Sequence, residues 1–93
     1  MIIGSCQMDL HIPGSHSLKE KRHVIKQIIK LVRNRYNVSI SEIGDADLWQ
    51  RAILGIASIS NDKAVVDSIL QKVRQFIENN PEVVVLKEIT EFF

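Results

Sequence analysis

The chain has 93 residues, 45% of them hydrophobic and 25% charged, which fits one globular domain with a buried core and leaves no room for a second. Its longest uncharged stretch, residues 52–61, is too short and too polar to span a bilayer, and residues 1–14 lack the basic start and unbroken apolar core of a secretory signal. Cys6 is the only cysteine, so no internal disulfide can form, and we expect a cytoplasmic protein without a membrane segment.

The first elements in chain order are a strand and a helix. Residues 2–12 alternate between apolar and polar side chains, which predicts a half-buried strand, and the run Pro-Gly-Ser-His at 13–16 ends it. Ser17 and Glu20 have the spacing of a capping box, whose two side chains accept hydrogen bonds from backbone N–H groups at a helix start. Apolar residues at helical spacing then continue up to Asn37, where we expect the helix to end.

The second half of the chain predicts three more strands and a helix. Residues 38–43 and 50–60 form a pair of strands around turn residues, and capping residues precede a helix that Asn-Asn-Pro at 79–81 stops. Residues 83–93 predict a last strand. With right-handed crossovers, the order βαββαβ closes into a single ferredoxin-like α+β domain over residues 1–93, with a four-stranded antiparallel sheet and both helices on one face.

The sheet face away from the helices should be partly apolar. By strand parity it carries Gln7, Asp9, Arg51, Ile53, Ala57 and Ile59. This mixture favours a homodimer that buries the face, although antiparallel sheets can also leave one face in water. Trp49 lies at the entrance to the third strand, where it is either a core residue or an interface anchor. The predicted interface is Trp49, Arg51, Ile53, Ala57 and Ile59.

Charge singles out the first predicted helix. Residues 19–35 contain seven Lys and Arg and one acid, a net charge of +6, whereas the rest of the chain has five cations and ten acids, a net charge of −5. Five of the cations step along the helix by three or four residues and so form one stripe. We call it the basic stripe, and it consists of Lys19, Arg22, Lys26, Lys30 and Arg33.

The basic stripe predicts an anionic partner. Neighbouring cations repel one another by roughly 0.2–0.5 kcal/mol per pair, and basic residues at a helix start oppose its dipole. A phosphate backbone would relieve both penalties, which favours RNA or a ribosomal particle, while a merely solvated face and an acidic protein partner are the alternatives. The central strands lack the base-stacking aromatic residues of an RNA-recognition motif, so binding would be led by phosphates.

No cluster of residues predicts catalysis, a cofactor or a metal site. Ser15, His16 and Ser17 have no acid placed to orient the histidine, and Cys6 and His11 should lie on opposite faces of the first strand. The loop at 13–16 also lacks the arginine that acylphosphatases of the same strand order use. We therefore expect a binding protein and not an enzyme, with a dimeric small-ligand regulatory module as the second candidate.

Several runs resemble a known family: Pro-Gly-Ser at 13–15, Ser-Leu-Lys-Glu-Lys-Arg at 17–22, Asn-Val-Ser at 37–39, Asp-Leu-Trp-Gln-Arg-Ala at 47–52, Leu-Gly at 54–55 and Ser-Asn-Asp at 60–62. Over essentially its whole length the chain resembles the YlxP-like family of small bacterial proteins, a domain of unknown function. The resemblance implies a ferredoxin-like fold. Members tend to be encoded among translation and ribosome-maturation genes, which implies a role near RNA, and the resemblance implies no catalytic residue.

Overall fold

Two helices and four strands follow one another in the predicted order βαββαβ. The computed structural model describes all of residues 1–93. Its elements are β1 (Ile2–His11), α1 (Leu18–Arg35), β2 (Ser39–Gly44), β3 (Arg51–Ser60), α2 (Lys63–Glu78) and β4 (Val84–Phe92). Every predicted element is present, and each strand end lies within one residue of its predicted position. Neither helix is long and apolar enough to cross a membrane.

The four strands form one antiparallel sheet in the order β2-β3-β1-β4, so β1 and β3 lie at its centre as predicted. Alternation along the central strands sends one parity of side chains towards the helices, where Met8 pairs in register with Leu54 and both are fully buried. The helices add Ile25, Ile28 and Val32 from α1 and four aliphatic residues from α2 to the same core. The predicted ferredoxin-like α+β sandwich is confirmed.

Local signals in the sequence define both helix starts. The Ser17 hydroxyl accepts a hydrogen bond from the Glu20 N–H at 3.1 Å, as the capping box predicts. The Glu20 carboxylate accepts its return bond, at 2.6 Å, from the N–H of His16, one residue before the cap. Asp62 caps α2 by accepting from the Ala64 N–H at 2.9 Å. Each cap satisfies N–H groups that the first helical turn leaves without partners.

The face of the sheet away from the helices is open, and we call it the open face. The predicted face residues Arg51, Ile53, Ala57 and Ile59 have the parity opposite to the buried positions of β3 and lie on it. Trp49 precedes β3 in the hairpin loop and is 58% exposed, so it is not a core residue. That these residues form an interface stays a prediction.

Candidate nucleic-acid interface

All five residues of the basic stripe are exposed on α1. The helix buries Ile25, Ile28 and Val32 against the sheet, and the stripe lies roughly 120° around the helix from them. The chain has three ion pairs, and none of them includes a residue of the stripe, so no carboxylate lies within 4.0 Å of its charged nitrogens. The stripe therefore keeps five positive charges without an ion-pair partner on one exposed surface.

The C-terminal half of the stripe borders a shallow groove of about 310 Å³ between α1 and the edge strand β2. Lys26, Lys30 and Arg33 line it on the helix side, and Ser41 lines it on the strand side. The Arg33 guanidinium donates a hydrogen bond from Nη2 to the Ile40 carbonyl at 3.0 Å. Because a guanidinium has five N–H donors, this bond fixes Arg33 against β2 and leaves donors for a bound anion.

The N-terminal end of the stripe has a mixed charge. Lys19 lines a concavity of about 620 Å³ together with His23, the loop that follows β1 and the loop before β4. Glu20 and Glu82 line the same concavity, so acids lie close to this end of the stripe. The groove along β2, in contrast, is lined by three cations and no acid.

Lys21 has a different role from the other cations of α1, which the charge count did not reveal. Its side chain is 0% exposed, and its ammonium donates to Glu42 Oε2 at 2.8 Å and to the carbonyls of Asp45 and Ala46, each at 3.1 Å. These three bonds use all three of its donors. One of the seven cations of the helix is thus neutralised inside the molecule, where it holds the β2–β3 hairpin against α1.

The sequence itself indicates that Lys21 is buried. It precedes Ile25, Ile28 and Val32 by four, seven and eleven residues, so helical spacing already places it on the buried arc of α1. The Arg33–Ile40 bond has no such signal, because it depends on how closely β2 approaches the helix.

The remaining polar candidates have structural partners. The Ser15 hydroxyl is buried and donates to the Ser17 carbonyl at 3.0 Å. Cys6 is buried on the helix side of β1, and desolvation raises the pKa of its thiol above the usual 9.0 despite a hydrogen bond with Thr90 and the charge of Arg74. No three His, Cys, Asp or Glu side chains lie close enough together to share a metal ion.

Comparison with known proteins gives a consistent family. Residues 3–89 match the family described as "Protein of unknown function (DUF503)". "Uncharacterized protein YlxP" of Bacillus subtilis (strain 168) is 44% identical over 92 residues, a match that covers 99% of this chain and all of that protein. The predicted resemblance is confirmed, and the chain belongs to the DUF503 family.

Proposed function

We propose that this DUF503 protein binds RNA, free or in a ribosomal particle, through phosphate contacts along the basic stripe. The observation that supports the proposal is the set of five exposed cations on one side of α1, none of them paired with a carboxylate of the chain. Each cation that replaces a condensed counterion on a nucleic acid contributes to affinity through counterion release. An internally paired cation such as Lys21 contributes nothing of this kind.

The dimensions of the stripe suit a phosphate backbone. From Lys19 to Arg33 the stripe extends about 21 Å along the helix axis, long enough to meet several consecutive phosphates of one strand. The groove beside Lys30 offers a shallow channel along which a backbone can lie. Because β1 and β3 present no aromatic side chain on the open face, the proposed binding has little base specificity.

The proposal describes a cytoplasmic, homodimeric binding protein without catalysis. An acidic protein partner would use the same stripe, but its fold would have to place acids opposite the five cations. A phosphate backbone has evenly spaced charges and meets a row of cations without such a fold. A regulatory module that binds a small ligand at the dimer interface has less support, since the concavity on the open face is only about 270 Å³, below the roughly 300–1,000 Å³ of typical ligand sites. The larger concavity of about 620 Å³ lies at the start of α1, away from that face.

Charge reversal tests the proposal directly. We expect the variant Lys26→Glu/Lys30→Glu/Arg33→Glu to lose retention on structured RNA, because it replaces three cations of the groove with repelling carboxylates. The matched single-residue comparison is Lys30→Glu against Lys72→Glu, since both lysines are exposed on a helix and only Lys30 belongs to the stripe. Equal retention of the triple variant and the unchanged protein would remove the proposal.

A further inference from the structure

The open face is organised about one straight row of residues that crosses all four strands. Gln7 of β1 is in register with Gly55 of β3 and with Ile89 of β4, and Gly55 is in register with Ser41 of β2. Residues in register on neighbouring strands share a face, so these four positions form a line perpendicular to the strands. We call it the central row.

The rows on either side of the central row have complementary side chains. On one side lie Ile53, Asp9 and Lys87, which are in register with one another, and on the other side lie Ala57, Ser5 and Glu91. On β4, Lys87 and Glu91 therefore lie at the same distance from the central row, on opposite sides of it. On β3 a large aliphatic side chain is matched by a small one.

We propose that a second copy of this chain covers the open face, with the two-fold axis of the dimer running along the central row. This rotation leaves each strand above its own counterpart and exchanges the two flanking rows. Lys87 of each copy then meets Glu91 of the other, and Ile53 meets Ala57. Gly55 has no side chain, and the side chain of Ile43 on the neighbouring strand lies over it, so the surface at the axis is apolar.

The exposed apolar side chains fit the same arrangement. Ile43 is 56% exposed and lies over Gly55, where an added Cβ would be only 3.0 Å from it, and Ile89 on the central row is 39% exposed. Both meet their own counterparts near the axis. The rotation also brings the Trp49 end of one sheet to the Ile59 end of the other, and these two side chains are 58% and 57% exposed. Each apolar group thus gains an apolar neighbour.

The size and charge of the open face fit a second copy of the chain. Four strands about 4.8 Å apart and roughly 27 Å of strand length give about 500 Å² of flat sheet per copy. The two copies together reach about 1,000 Å² before side-chain relief is counted, which is the lower size of a specific interface. The face carries two acids and two cations, Asp9, Glu91, Arg51 and Lys87, so two copies do not repel each other through net charge.

The mass in solution is the first test. Sedimentation of the full chain at roughly 100 μM should give twice the monomer mass, and a monomer at that concentration would overturn the inference. The single tryptophan gives a second readout, because Trp49 should become more exposed to water, and its fluorescence emission should shift to longer wavelength, when dilution separates the copies.

A charge exchange tests the position of the axis. Lys87→Glu places two carboxylates together, and Glu91→Lys places two ammonium groups together, so each variant alone should dimerise about tenfold more weakly or worse. Mixing the two variants in equal amounts should restore a dimer, because both contacts in the mixed pair join opposite charges. Lys72→Glu on α2 is the control for a charge change away from the face and should leave dimerisation unchanged.

Two results of this exchange would contradict the proposed axis. In one, the single variants Lys87→Glu and Glu91→Lys dimerise as well as the unchanged protein. In the other, the mixture of the two variants dimerises no more tightly than either variant alone. Thermal melting of each variant confirms that the monomers remain folded, which is expected because Lys87 and Glu91 are exposed. Ala57→Arg, which places a long charged side chain opposite Ile53, gives an independent disruption of the same interface.

Discussion

At the scale of single residues, Lys21 shows how one buried charge fixes a loop. A buried cation is costly unless every donor has a partner, and here the ammonium has one carboxylate and two carbonyls. Those carbonyls belong to Asp45 and Ala46 in the turn after β2, where Asp45 has a positive φ of 59°. The lysine therefore holds a turn whose backbone conformation is uncommon for a residue other than glycine.

Replacing this lysine should destabilise the fold. Lys21→Met keeps most of the side-chain volume but leaves the Glu42 carboxylate and two carbonyls without their donor. Because Glu42 retains 21% exposure, we expect a loss of about 2 kcal/mol in the free energy of unfolding, less than for a fully enclosed pair. Urea denaturation measures it, with Lys72→Met as the exposed control. The double variant Lys21→Met/Glu42→Gln should recover part of the loss, and an unchanged midpoint for Lys21→Met would contradict this role.

Cys6 predicts a dependence of stability on alkaline pH. Burial raises the pKa of its thiol above the 9.0 expected in the unfolded chain, so the folded state favours the protonated form. The stability from this preference is fully present below pH 9.0 and is lost as the pH rises through the raised value. Denaturation of the unchanged protein and of Cys6→Ala between about pH 8 and 10.5 should show their difference shrinking. A constant difference would mean that Cys6 titrates alike in both states.

At the scale of elements, α2 packs so closely on β1 that one position has no space for a side chain. A Cβ at Gly4 would collide with Val66 and Leu70 of α2, whereas a Cβ at Gly14 meets no atom within 4 Å. These two glycines form a matched pair. Gly4→Ala should cost about 1–3 kcal/mol of unfolding free energy because the helix must shift, and Gly14→Ala should cost little. Thermal or urea unfolding compares them, and equal effects would contradict the close approach.

The same elements show which structural features the sequence predicts. Period-2 and period-3.6 patterns define the strands and helices to within a residue or two, because each pattern reflects one buried face. The exposure of the basic stripe follows from the same geometry. The Arg33 bond to Ile40, the enclosure of Lys21 by the hairpin and the exposure of Trp49 do not, because they depend on the distance between elements that are far apart in sequence.

The strand register determines which residues of the open face lie in one row. Parity alone predicts that Ile53, Ala57 and Ile59 share that face with Asp9. The alignment of Gly55, Gln7 and Ile89 in one row requires the offsets between three strands, which no local pattern contains. The position of the proposed two-fold axis therefore depends on the register of the whole sheet.

At the scale of the whole molecule, the proposed dimer links the two surfaces. Because the axis runs across the strands, β2 of one copy lies above β2 of the other in the stacked sheets. Both basic stripes therefore face the same side of the dimer. Two sheets about 10 Å apart, each carrying helices roughly 10 Å further out, place the two α1 helices about 30 Å apart. One RNA can then contact both stripes.

This arrangement predicts that dimerisation increases RNA affinity. Lys87→Glu leaves α1 unchanged but should weaken RNA binding at protein concentrations where it is monomeric, since one of two stripes is lost from the complex. Adding an equal amount of Glu91→Lys should restore the affinity. If neither the Lys87→Glu substitution nor the addition of Glu91→Lys changes the RNA affinity, each stripe binds RNA by itself. This result would contradict the link between dimerisation and RNA binding but not the proposal that the stripe binds RNA.

The salt dependence of RNA binding tests the central claim most directly. Five phosphate contacts predict that the logarithm of the affinity falls with the logarithm of salt concentration with a slope of about −3.5 to −4.5. Lys26→Ala/Lys30→Ala/Arg33→Ala removes three contacts without adding repelling carboxylates, and it should reduce the magnitude of that slope by about two to three. An affinity that does not respond to salt, or a triple variant with the slope of the unchanged protein, would contradict the assignment of the basic stripe as the RNA-binding surface.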